Sequence, residues 1–73
     1  MQTEQLIKMA NQIGDFYESY PDGKQAQIDI AGHLNKFWAL KMRQQLAQHV
    51  NNTNGEGLHP KVAAAVAEHL EIQ

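Results

Sequence analysis

The sequence predicts an all-α fold, a small single-domain bundle of about four short helices, and three observations lead there. Apolar residues recur at helical spacing in successive segments, no stretch alternates apolar and polar residues as a half-buried strand would, and turn-forming residues punctuate the segments. With 73 residues the chain makes one domain, residues 1–73, near the lower size limit for a self-sufficient core. Nine of its hydrophobic residues are alanines, which leaves 22 larger apolar side chains to build that core. The margin against chain entropy is therefore narrow. There is no cysteine, so neither a disulfide staple nor a thiolate metal site is available.

The first helix is expected at about residues 4–20. Leu6, Met9, Ala10, Ile13, Phe16, Tyr17 and Tyr20 fall within one arc of about 120°, with Glu4, Lys8, Asn11, Asp15 and Glu18 on the other side. Thr3 suits the N-cap, and Pro21-Asp22-Gly23 ends the segment in a turn. A second helix is expected at about 24–38, with Ala26, Ile30, Leu34 and Phe37 on one stripe and Ala31 and Trp38 on its flank. Ile28 points elsewhere. Gly32 either admits a close neighbour or is simply tolerated.

A third helix is expected at about 40–50, with Met42, Leu46, His49 and Val50 on one side. Ala39-Leu40 carries no break signal, yet a break is expected there, because one straight helix of that length could not fold back over its own core. Residues 51–57 read as a loop rich in Asn and Gly, which accept positive φ. Leu58 is then expected to anchor in the core, with His59 near a cap and Pro60 in the first turn of a final helix at about 60–71. Val62, Val66 and Leu70 make its apolar stripe.

Composition excludes several function classes. No segment has the roughly 18 apolar residues of a membrane span, and the first residues lack the pattern of a secretory signal. A cytoplasmic chain without a membrane partner is expected. A net charge of −2 argues against nucleic-acid binding, which needs many Lys/Arg–phosphate contacts. A helix-turn-helix reading is accordingly weak. The charge is nevertheless uneven: no Asp or Glu occurs between Asp29 and Glu56, so the middle of the chain is basic.

Catalytic constellations are missing. Ser19 is the lone serine and sits on a polar face, and Gly55-x-Gly57 lacks the strand, lysine and hydroxyl of a phosphate loop. Asp29 and His33 can share a helix face, but no second pair has ligand spacing, so no metal site is expected. His49 reads as partly buried near a helix C-terminus, where the dipole favours its charged form. Phe37 reads as core, Trp38 equally as core or interface, Lys36 as solvated, and Arg43 as an interface residue with a fork that pairs carboxylates.

Four motifs in order resemble one family across nearly the whole chain. They are Lys8-Met9-Ala10-Asn11-Gln12-Ile13 with Phe16-Tyr17, then Ala31-x-His33-Leu34-x-x-Phe37-Trp38, then Met42-Arg43, then Gly55-Glu56-Gly57-Leu58-x-Pro60. Together they resemble the small delta subunit of molybdenum- or tungsten-dependent formate dehydrogenases that reduce NAD. Relatives of that kind carry Asp-Pro where this chain has Ala39-Leu40. The resemblance implies a non-catalytic accessory subunit that docks on the large catalytic subunit for assembly or stability. Molybdopterin and iron–sulfur clusters are then expected in that partner and flavin in others, with no cofactor in this chain. The expected docking residues are Trp38, Met42, Arg43, Gly55, Gly57, Leu58 and Pro60. The alternative is a free-standing helical adaptor, or a homodimer when isolated, joined through Ile7 and Ile28.

Overall fold

A computed structural model describes residues 2–73, and among these the all-α expectation holds. Four helices form: α1 (Thr3–Phe16), α2 (Gly23–Phe37), α3 (Leu40–Thr53) and α4 (Pro60–His69). Leu6, Ile30, Leu34, Leu46 and Val62 are the largest fully buried side chains.

Helix α1 buries Leu6, Ala10 and Gly14. Thr3 is not its cap. Gln2 takes that position without a side-chain bond, while Thr3 Oγ1 accepts from Gln45 Nε2 of α3. The helix also ends at Phe16, four residues short of the sequence expectation. Tyr17 N–H bonds to both the Ile13 and Gly14 carbonyls, and Tyr20 N–H bonds to the Tyr17 carbonyl, so residues 17–20 tighten into turns. Phe16 consequently lies 71% exposed and Tyr20 is exposed as well, although both fit the apolar arc. Gly14 permits close packing on α4: a Cβ there would stand 2.6 Å from Val62 Cγ2.

Asp22 starts α2 by accepting from the N–H groups of Lys24 and Gln25 at 3.0 and 3.2 Å. The helix buries Ala26, Ile30, Ala31 and Leu34. The break after it is real. Trp38 and Ala39 are both extended, and Arg43 N–H then bonds to the Ala39 carbonyl as α3 begins. Phe37 corrects the sequence reading, since it is 66% exposed rather than core. Two adjacent aromatics compete for one interior position at this corner, and the extended backbone at residue 38 points the indole inward instead. Trp38 retains 8% exposure. Gly32 has no atom within 4 Å of an added Cβ, so no helix approaches closely there.

Helix α3 extends to Thr53, three residues beyond the expected end. Thr53 Oγ1 donates to the His49 carbonyl and accepts from Glu56 N–H, and Asn54 closes the helix at φ +58°. Asn51 and Asn52 therefore belong to the last turn and not to the loop. Helix α4 begins as the sequence suggests, with Pro60 in its first turn and His59 Nδ1 accepting from Lys61 N–H. Its small Ala65 and its Val62 and Val66 pack it chiefly against α2, and it also touches α1 and α3. Helices α1 and α2, by contrast, scarcely meet.

Candidate docking groove

The separation of α1 from α2 leaves an open groove of about 560 Å³ between them. Met9, Ile13, Phe16 and Tyr17 supply the α1 wall, and His33 and Trp38 the other. The helical period places these α1 residues together at the edge of the face that buries Leu6, Ala10 and Gly14. On α2, His33 lies one position before buried Leu34, and the indole of Trp38 caps the slot at the α2–α3 corner.

Aromatic rings form its rim. Phe16 meets Tyr17 edge-on at 5.1 Å, Tyr17 meets Tyr20 at 4.8 Å, and His33 meets Phe37 at 4.8 Å. Burial raises the Tyr17 phenol above its ordinary pKa, and the neighbouring Tyr20 and Asp29 add to the shift. Clustered exposed aromatics of this kind mark an interaction surface more often than a solvated face.

The residues expected to dock have mixed placements. Trp38 lines the groove from a nearly buried position, and Met42 packs, partly buried, against the core. Arg43 is half-buried, and its Nε is a buried donor without an acceptor among the described residues. Gly55 is buried at φ +79°, where an added Cβ would meet Ala63 Cβ at 2.8 Å. Gly57 is exposed at φ +82°, Leu58 packs on the core, and exposed Pro60 opens α4. The loop glycines thus serve the chain's own turns. Of the seven, Trp38 alone lines the groove.

Sequence reasoning missed Phe16, Phe37 and His33 as rim residues. Phe16 lay at the extreme of its apolar arc, which was the one available signal. Nothing local separates Phe37 from its stripe.

A second cluster joins the C-terminal end of α1 to the start of α4. Asn11 Nδ2 donates to the Gly57 carbonyl at 2.9 Å, and Asn11 Oδ1 accepts from His59 N–H at 2.8 Å. Lys61 Nζ donates to the Glu18 carbonyl, and His59 Nε2 pairs with Glu18 Oε2. The hydrogen bond to His59, and then the attraction of the ring edge that faces the carboxylate, hold the Glu18 carboxyl below its usual range, against an opposing effect of burial, with Lys61 assisting. Ligand atoms of Asp15, Glu18 and His59 lie within 4.8 Å of one another, close enough to suggest a cation. The histidine argues otherwise. Nδ1 accepts the cap bond from Lys61, so the single ring proton sits on Nε2, facing Glu18. A metal at Nε2 would need that proton removed and the cap surrendered. The bonds these residues make with one another hold the end of α1 to the start of α4 as a clasp.

Among the described residues no helix is long and apolar enough to cross a membrane. A family model described as NADH-dependent formate dehydrogenase delta subunit, FdsD, matches residues 5–66. No curated protein and no solved structure matches the chain.

Proposed function

We propose a docking role from one premise: the chain belongs to the NADH-dependent formate dehydrogenase delta subunit family. In this reading it is a non-catalytic subunit of a cytoplasmic formate dehydrogenase that seats on the large catalytic subunit and supports assembly or stability. Molybdopterin and iron–sulfur clusters would reside in that partner, and flavin in the further subunits. The observation that carries the reading is the groove between α1 and α2, an apolar slot rimmed by exposed rings in a chain with a small core. Filling it would cover Phe16, Tyr17 and Phe37, and a partner that binds only the folded form also stabilises it. Trp38 lines the groove, and the Gly55–Pro60 segment, also expected to dock, is bonded to α1 through Asn11 at Gly57 and His59.

The alternative of a homodimer joined through Ile7 and Ile28 has Ile28 48% exposed and Ile7 partly covered. The direct test is affinity capture of the tagged chain from its native extract, with mass-spectrometric identification of what accompanies it. Recovery of the molybdopterin-bearing subunit of a formate dehydrogenase, with its flavin and iron–sulfur partners, is expected. Recovery of the chain alone as a stable dimer would overturn the reading.

A further inference from the structure

The chemistry of the groove narrows what can fill it. Both walls are helices whose backbone groups are bonded internally, and the lining offers few polar side-chain groups, among them Gln12, Tyr17 and His33. An extended segment would bring unpaired N–H and C=O groups into this slot, whereas an α-helix satisfies its own.

Charge then distinguishes one end. Lys36, Lys41 and Arg43 fall within eight residues around the Trp38 corner, and no carboxylate occurs between Asp29 and Glu56. None of the three forms an ion pair among the described residues, where the two pairs are His59–Glu18 and His69–Glu68. Lys36 Nζ stands 5.6 Å from the centre of the Phe37 ring, and that ring rests on His33 of the groove wall, so one cation lies at the rim itself. Arg43 adds a buried donor with no acceptor among the described residues.

We infer that the groove receives one amphipathic α-helix of the partner, and that this helix carries carboxylate side chains where it crosses the α2–α3 corner. The inference rests on the docking reading above and specifies its occupant. Apolar residues three and four positions apart on that helix fill the slot over Met9, Ile13 and Trp38. Its carboxylates meet Lys36 at the exposed rim and the exposed Lys41 beyond the Trp38 corner, where complementary charge governs encounter rate and register.

Zero-length carbodiimide coupling of the assembled complex tests this, because the reagent joins a lysine amine to a touching carboxylate as an amide, with the carbodiimide taking up the water as a urea. Mass spectrometry should find Lys36 or Lys41 joined to an Asp or Glu of the catalytic subunit, in a helical stretch with apolar residues three or four positions away. The double variant K36Q/K41Q should lose these products while Lys24 and Lys61 keep their reactivity. A complex that assembles normally but couples through Lys24 or Lys61 alone, or through a non-helical acidic tail, overturns the inference and leaves the docking reading standing. Coupling to a second copy of this chain overturns it as well. If capture of the unmodified chain returns no formate dehydrogenase subunit, both readings fall together.

Discussion

Glu18 and two of the helical glycines, Gly14 and Gly32, show how single residues set the terms. Glu18 bonds to His59, and its carboxyl is held below the usual glutamate value of 4.5. A carboxyl whose folded pKa is depressed contributes stability that is fully present above the unfolded value and lost as pH falls through the folded one. Glu18→Gln keeps an acceptor for the ring N–H but removes that charge. The melting temperature of the variant should therefore lie below that of the parent at neutral pH, and the two should converge as pH falls from the usual glutamate range through the lowered folded value. Thermal melts between pH 3 and 7 check this, and parallel curves would contradict it. The glycines give a contrast of sign. Gly14→Ala places a Cβ 2.6 Å from Val62 Cγ2 and should destabilise by about 1–3 kcal/mol through overpacking, less whatever helix propensity returns. Gly32→Ala meets nothing within 4 Å and should stabilise by about 0.5–1 kcal/mol. Urea unfolding of the two variants separates them.

At the scale of the element, caps account for what could be read and what could not. Pro60 at a helix start is a local signal and falls where the rules put it, whereas Pro21-Asp22-Gly23 does not end α1 but leads into α2, with Asp22 as its cap. The early end of α1 was not legible, because residues 17–20 are held by partners remote in sequence: Lys61 on the Glu18 carbonyl and His59 on its carboxylate. Asn11 was equally opaque. It looks like a solvated polar residue, yet its amide makes two bonds to the loop before α4. The break between α2 and α3 was inferred from compactness rather than from any residue signal, and Ala39 indeed offers α3 no side-chain cap. Ala39→Asp should add the missing acceptor and stabilise the chain by roughly 0.5–1 kcal/mol. Removing an existing cap with Asp22→Ala should cost about 1 kcal/mol, since Lys24 and Gln25 lose their acceptor. Equal denaturation midpoints for these two opposite changes would count against the capping account.

For the whole molecule, four short helices enclose one core, but α1 and α2 are not packed on each other. The sequence implied the four helices through their apolar periods. It could not imply the gap, because an unfilled space is a property of how helices are arranged and leaves no mark on any one of them. Phe37 illustrates this: its stripe position says core, and only the inward turn of Trp38 at the corner puts it outside. The two exposed phenylalanines now distinguish binding from folding. Phe16 and Phe37 are 71% and 66% exposed, so truncating them should change stability by no more than about 0.5 kcal/mol per residue. The most direct measurement is co-purification of the F16A/F37A double variant with the other formate dehydrogenase subunits, beside a thermal melt of the isolated variant. An unchanged melt with markedly reduced recovery of the catalytic subunit is the result expected if the groove is the docking site. Full recovery with the melt unchanged would contradict that claim and move the docking surface elsewhere on the chain.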